Sequence, residues 1–357
     1  MAKEPDRSSN SLPRVSVIVP CRNEARFIAG CLESIVANDY PRDRLEILVV
    51  DGMSDDGTWN IVGDFTRERP EVKRLRNPRS ITPAALNLGI AHARGEIIFR
   101  IDAHARVAQD YLRLCVDGLR KYEADNIGGA METVPADDGL VAKAIAATMS
   151  HPFGVGNSDF RVGTEQVVAT DTVFGGCYRR EVFEKIGLFN KRLIRTQDME
   201  FNQRLRKAGG RILLDPKIRC CYYASADLKS FARHNFHDGL WAILPFAYSE
   251  VLPVRPRHLV PGAFAGFIVF FLALAIWLEP VRFLLAAMMG IYVAANVASS
   301  IQIAWRKRDF RYVYLLPVAF GVRHFGYGFG SLCAAMRLAC NRDFVLNTLG
   351  RVKFRPA

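Results

Sequence analysis

Leu45-Glu46-Ile47-Leu48-Val49-Val50-Asp51-Gly52-Met53-Ser54-Asp55-Asp56-Gly57-Thr58 decides the fold. A mostly apolar strand, Leu45–Val50, ends on a carboxylate. A loop dense in Asp, Gly, Ser and Thr then hands the chain to a helix running through Phe65. The same grammar recurs on both sides. Val15–Pro20 is an apolar strand stopped by proline, and Cys21-Arg22-Asn23-Glu24 turns into a helix reaching about Asn38. Downstream, Lys73–Arg76 reads as strand, Ile81–Ala93 as helix, Glu96–Ile101 as strand and Tyr111–Tyr122 as helix. Alternation at this spacing implies an α/β fold with a mostly parallel sheet and right-handed crossovers. Ligands of such sheets bind at the carboxyl ends of the strands.

Acidic residues stand at those ends. Arg100-Ile101-Asp102-Ala103-His104 puts a carboxylate and an imidazole two residues apart after a buried strand. Carboxylate oxygen and neutral imidazole nitrogen both ligate Mn²⁺-type cations, so the pair can hold a metal against a diphosphate. Asp51 is placed to accept a hydrogen bond from a base or ribose, whereas Asp55 and Asp56 suit turn formation. Asp198 opens a later helix; capping suits it equally, with Glu200 in the first turn.

From Ile127 the pattern becomes glycine-rich: Gly128-Gly129, Gly154-Val155-Gly156 and Gly175-Gly176. This half reads as irregular and substrate-facing rather than as a second sheet of its own, with a last strand at Arg211–Leu214. Arg180–Ile186 and Asp198–Ala208 read as helices, and Arg179 or Arg180 could approach a phosphate or simply be solvated. Asp227–Ser249 mixes apolar residues with Lys229, Arg233, His234 and His237, which suits an interfacial helix or one covering the sheet.

The chain has 357 residues, half of them apolar, and a net charge of +12; its mean hydropathy is +0.05. The apolar excess is concentrated. Leu259–Leu278 has no charge and gives about 30 Å of helix, enough to span a bilayer. Glu279, Pro280 and Arg282 interrupt it, and Phe283–Trp305 continues without charge. A transmembrane hairpin follows. Arg255, Arg257 and His258 before it, and Arg306-Lys307-Arg308 after it, place its outer ends on the cytoplasmic side. The charge thus faces membrane lipids, and no nucleic-acid motif accompanies it. Tyr312–Met336 is long enough to cross again, but Arg323 and His324 would be costly mid-bilayer. A re-entrant or interfacial hairpin broken at Gly321 and Gly326–Gly330 is expected instead. The eight cysteines lack metal-type spacing and suggest free, mostly buried thiols.

Val17–Glu24, Val49–Thr58, Ile101–His104 and Gln197-Asp198-Met199-Glu200-Phe201, in that order, resemble the motifs of inverting family 2 glycosyltransferases. The tail is similar to membrane-bound members that build exopolysaccharide, the succinoglycan-type glucosyltransferases in particular. The resemblance implies a GT-A nucleotide-sugar fold. It assigns Pro20, Arg22, Glu24 and Asp51 to the uridine pocket, with Arg79 and Asp102 toward the diphosphate. Asp102 and His104 would hold Mn²⁺ or Mg²⁺, His104 replacing the second aspartate of the family's Asp-x-Asp motif. Asp198 would be the general base, with Gln197 where the family usually has glutamate. Gly175, Gly176 and Glu200 would face the acceptor.

The implied reaction transfers a single hexose, glucose by that likeness, from a UDP-sugar with inversion. The acceptor would be a hydroxyl of a polyprenyl-diphosphate-linked saccharide in exopolysaccharide or cell-surface polysaccharide synthesis. The processive Gln-x-x-Arg-Trp motif does not occur. Two alternatives stand: a polyprenyl-phosphate glycosyltransferase, and a non-catalytic membrane scaffold of a polysaccharide assembly complex. The expected organisation is a disordered tail (1–13), a GT-A domain (14–225), an interfacial segment (226–258), a transmembrane hairpin (259–305) and a basic, partly membrane-embedded region (306–357). The implied location is the bacterial inner membrane, with the catalytic domain cytoplasmic.

Overall fold

The computed structural model describes residues 12–249, 251 and 254–340. Most of the expected N-terminal tail and the basic C-terminal stretch beyond 340 therefore lie outside the described residues. The chain forms two compact units, one from residues up to Glu132 with Asp159–Tyr222, the other from Thr133–Ser158 with Tyr223 onward.

In chain order the first elements are β1 (Val15–Cys21), α1 (Ile28–Val36), β2 (Leu45–Asp51), α2 (Thr58–Glu68), β3 (Val72–Arg76) and α3 (Thr82–His92). Next come β4 (Ile97–Arg100), β5 (Ala105–Val107), α4 (Tyr111–Lys121) and β6 (Asn126–Val134). Helices α5 (Leu140–Thr148), α6 (Pro152–Val155) and α7 (Asp159–Val162) lead to β7 (Val168–Ala169) and β8 (Cys177–Arg179). The remainder is α8 (Arg180–Ile186), α9 (Gln197–Lys207), β9 (Ile212–Tyr223), α10 (Leu228–Ile243), α11 (Pro245–Tyr248), α12 (Pro256–Ala275), α13 (Glu279–Lys307) and α14 (Tyr312–Ala339).

Among the described residues the strands form one nine-stranded sheet, ordered β3-β2-β1-β4-β8-β6-β9-β5 with β7 on β9. β1 pairs in parallel with β2 and with β4, and β2 with β3. Beyond β4 the pairing turns antiparallel. The sheet is therefore mixed. Apolar strands buried on both faces explain the parallel half: β1 is buried throughout, with Val17 and Val19 packing under α1 and Ile18 on the other side with Leu86 of α3. Strand order reverses at β1, so the β1 and β4 ends open a crevice there. Register then fixes a row: Cys21 lies opposite Asp51, and Asp51 opposite Arg76.

Three expectations are corrected. The glycine-rich half is less irregular than expected, its strands joining the one sheet: Gly128 and Gly129 sit inside β6. They are glycine because neighbours come too close for a side chain, a Cβ on Gly129 falling 1.9 Å from the Ile218 carbonyl oxygen. The last strand runs to Tyr223, well past Leu214. And α14 continues through Gly321 and Gly326–Gly330 as one helix.

Gly328 and Gly330 of α14 are contact points within the second unit. A Cβ on Gly330 would meet the Phe236 carbonyl oxygen of α10 at 2.0 Å, and one on Gly328 the Pro261 carbonyl oxygen of α12 at 2.6 Å. Small residues let helices approach this closely. The polar side chains that argued against a continuous helix are satisfied internally. Arg323 donates to Gly154 O at 3.2 Å and also to Asn235 Oδ1 of α10. His324 meets the Phe153 carbonyl through Nε2 at 2.8 Å and the Tyr292 hydroxyl through Nδ1 at 3.1 Å. A carbonyl can only accept, so the proton sits on Nε2.

Helices α12 and α13 are long and apolar enough to cross a membrane. Their apolar residues point outward: Phe267, Phe270, Phe283 and Ile291 are all exposed. Arg282 donates to the Ala275 and Ile276 carbonyls at the end of α12, which no helical partner would satisfy. Cys21, Cys31, Cys115, Cys177 and Cys220 are free and buried. Burial raises the Cys21, Cys31 and Cys220 thiols above their ordinary range.

The β6 contact gives a direct test. Gly129→Ala should destabilise the protein by about 1–3 kcal/mol through overpacking, read as a lower Tm in detergent. An unchanged Tm would contradict the close approach of β9.

Candidate active site

The loops after β1 and β2 clasp each other. Asn23 and Met53 both take left-handed backbone angles, φ +57° and +63°. Asn23 N donates to Ser54 Oγ at 2.9 Å, and Asp55 N returns to Asn23 Oδ1 at 3.1 Å. Glu24 N reaches Thr58 Oγ1 at 2.8 Å, while Ala25 N reaches Asp56 Oδ2 at 2.9 Å. Asp56 also accepts from Thr58 N at 3.0 Å, so it works as a turn former.

Asp51 is fully buried at the end of β2. Arg76 NH1 reaches its Oδ2 at 2.8 Å, and Ser54 N donates to the same oxygen at 3.2 Å. The Arg76 guanidinium lies 3.7 Å over the Trp59 ring, and Arg74 lies 4.2 Å from it. Asp51 is thus held from inside the protein, and Arg76 is the group that carries its charge balance outward. Pro20 is buried in β1. Arg22 reaches Ser80 O at 3.4 Å, and Arg79 N donates to Asn77 Oδ1 at 3.2 Å; both arginines are exposed.

The second half of the site turns on Arg100, the last residue of β4. It is 8% exposed. Its NH2 reaches Asp102 Oδ1 at 3.1 Å, Nε reaches the same oxygen at 3.3 Å, and NH1 reaches Asp198 Oδ2 at 3.0 Å. Burial alone would lower its pKa; the Asp102 and Asp198 charges outweigh that and raise it. Asp198 Oδ1 accepts from Met199 N at 2.9 Å. Asp198 is the second residue of α9, whose N-cap Thr196 has φ +58°.

His104 Nδ1 lies 2.9 Å from Glu24 Oε1, and its ring meets Tyr222 edge-on at 4.8 Å. Burial disfavours the charged ring, but Tyr222, the Glu24 hydrogen bond and charge, and the Asp102 charge outweigh it, raising the pKa to about 10. With Nδ1 engaged by Glu24, Nε2 is the nitrogen a cation would take, displacing the proton that the metal-free ring carries there. A carboxylate on the far nitrogen is how metal-binding histidines are commonly oriented. Among the described residues no three His, Cys, Asp or Glu side chains form a metal cage. The Asp102–His104 pair suits a cation that takes its other ligands from phosphate and water.

The structure therefore brings Glu24, Arg100, Asp102, His104 and Asp198 together, and groups Cys21, Asp51 and Arg76 beside them in the sheet. Gly175 and Gly176 lie against β4: Gly176 O accepts from Arg100 N at 3.0 Å, and a Cβ on Gly175 would come 2.6 Å from Arg100 O. Both have positive φ, +68° and +105°. Glu200 stands apart; it is buried and paired with Arg204 at 2.8 Å. Positions two apart on a helix point to opposite sides, so it does not share the Asp198 face. Arg179 and Arg180 do not approach a phosphate site. They donate to the carbonyls of Leu119, Ala124, Ala93 and Gly95. Arg100 and Arg76 were not singled out by the sequence. A charged residue closing the buried run Ile97–Phe99 was the available signal, because buried charges are almost always paired.

The chain is similar to known proteins in sequence and in fold. Residues 16–187 match the family model for glycosyl transferase family 2. The chain is 29% identical to the succinoglycan biosynthesis protein ExoA of Rhizobium meliloti (strain 1021), over 90% of this chain and 96% of that one. It is 26% identical to the dolichyl N-acetyl-alpha-D-glucosaminyl phosphate 3-beta-D-2,3-diacetamido-2,3-dideoxy-beta-D-glucuronosyltransferase of Methanococcus voltae, over 79% and 91%. The fold is similar to that of the mannosyltransferase PcManGT from Pyrobaculum calidifontis, solved with GDP-Man and Mn²⁺. That likeness has a TM-score of 0.58 and 24% identity, covering 88% of each chain. The architecture is thus of the GT-A type.

Removing the Arg76 guanidinium leaves the buried Asp51 without its cation. Arg76→Leu should cost about 1–2 kcal/mol of stability, less than a fully buried pair because Arg76 is half exposed. Adding Asp51→Asn should recover part of that loss in a double-mutant cycle of thermal unfolding; full additivity would contradict the pairing.

Proposed function

We propose, from the premise that the chain carries a glycosyltransferase family 2 domain, that it transfers one hexose from a UDP-sugar to a hydroxyl of a lipid-linked saccharide. The transfer inverts the anomeric centre. One observation carries the reading: Asp198 and Asp102 meet the same Arg100 guanidinium, at 3.0 and 3.1 Å, beside His104 at the carboxyl end of β4. That contact supports reading Asp198 as a base set beside the diphosphate-side ligands Asp102 and His104.

Asp198 takes the proton of the acceptor hydroxyl as its oxygen attacks the anomeric carbon. The bond to UDP breaks on the opposite face, so an α-linked donor gives a β-linked product. Asp102 and His104 would hold a divalent cation, Mn²⁺ or Mg²⁺, with Glu24 orienting the imidazole. When bound, that cation supplies positive charge to the departing diphosphate. Asp51, braced by Arg76, shapes the nucleoside end with Pro20 and Arg22, and Arg79 approaches the diphosphate.

The second unit supports a lipid-linked acceptor. Trp277 is exposed at one end of the α12–α13 hairpin, and Trp305 at the other. Phe283–Trp305 spans about 33 Å of helix, close to the roughly 30 Å hydrocarbon core of a bilayer. Interfacial tryptophans and basic outer ends suit a bacterial inner membrane protein with its first unit cytoplasmic. The dolichyl-linked acceptor in the name of the Methanococcus relative favours a sugar hydroxyl over a bare polyprenyl phosphate. The set Asp51, Asp102 and Asp198 disfavours a scaffold.

The test is UDP release by detergent-purified protein with Mn²⁺, bacterial polar lipids and a panel of UDP-sugars, UDP-glucose first. Asp198→Asn should lower kcat by about 10²–10⁴. Retained turnover would indicate a phosphate acceptor, and no turnover or nucleotide binding a scaffold. Chelation with EDTA should abolish release and Mn²⁺ restore it. Glu24→Gln should raise the Mn²⁺ concentration for half-maximal activity by about 10–100-fold; an unchanged requirement would remove Glu24 from the metal site.

A further inference from the structure

We propose that Arg100 is the positioning residue of this site: its guanidinium fixes the carboxylate of the base Asp198 in register with Asp102. The inference rests on the reading of Asp198 as general base. Three observations converge on it. The guanidinium is a fork: Nε and NH2 meet Asp102, while NH1 meets Asp198 Oδ2. A planar group with donors in fixed directions transmits orientation from one carboxylate to the other, which a flexible ammonium cannot do.

Asp198 is held at both oxygens, Oδ1 by Met199 N and Oδ2 by Arg100, so rotation about its terminal bond is blocked. The carboxylate still has lone pairs to accept a proton. Finally, the backbone of Arg100 is itself clamped. Arg100 N donates to Gly176 O, and Gly175 lies so close to Arg100 O that a Cβ would fall at 2.6 Å. The left-handed pair Gly175-Gly176 thus seats Arg100, a different task from admitting an acceptor.

The consequence is a selective defect. Arg100→Lys keeps a positive charge but loses the fork, and should lower kcat at least about 30-fold while donor KM moves less than about threefold. Arg100→Ala should lose more, and low-millimolar guanidinium chloride should restore part of its kcat. The same addition should not raise the activity of wild type or of Asp198→Asn. A variant with a lower Tm but full kcat per folded molecule, a loss confined to KM, or no guanidinium rescue in a folded Arg100→Ala protein would overturn the proposal. An inactive wild type would instead overturn the transferase reading on which it rests, so the two failures are distinguishable.

Discussion

A cation buried at the end of a central strand must be neutralised, and the way Arg100 is neutralised organises the first unit. Its side chain is surrounded by protein, so leaving it unpaired would be prohibitive. Two carboxylates from distant parts of the chain, Asp102 beyond β4 and Asp198 at the start of α9, converge on it. Neither would be held so close to the other without a positive charge between them. The constraint propagates outward: α9 must begin where Asp198 can reach, and the Gly175-Gly176 turn must pass tightly over the Arg100 backbone. The β1 end is tied in through Glu24, which meets His104 two residues past Asp102.

A second buried charge repeats the arrangement at lower cost. Asp51 ends β2 in full burial, and Arg76, opposite it on β3, supplies the balance while remaining half exposed over Trp59. The two pairs flank the point where strand order reverses. Both exist because apolar strands run up to their last residue and then deliver a charged one to the crevice. An α/β sheet builds its chemistry in that way: rigid apolar strands position the polar groups, and the loops after β1 and β2 lock onto each other through Asn23, Ser54 and Asp55 to hold them.

How much of this was legible depended on whether a signal was local. Asp51, Asp102 and His104 could be placed at strand ends because the apolar runs before them are unambiguous. The parallel half of the sheet followed from the same periodicity. Arg100 was visible as a residue but not as a partner, since its two carboxylates lie two and ninety-eight positions away. Glycine misled twice for one reason. At Gly129 and along Gly326–Gly330 it marks close approach of another backbone within a regular element, yet in sequence it looks like a break. Arg323 and His324 seemed too polar for a continuous helix only because the groups that satisfy them, from α6, α10 and α13, are far away in sequence.

A single displacement driven by one base, as proposed for Asp198, leaves its mark on the anomeric centre. Its most direct test is the anomeric configuration of the glycosidic bond formed from an α-linked UDP-sugar, read by the one-bond carbon–proton coupling of the product in NMR. A β-linkage is expected. An α-linkage would require a second displacement or a front-face departure, and would contradict the role given to Asp198.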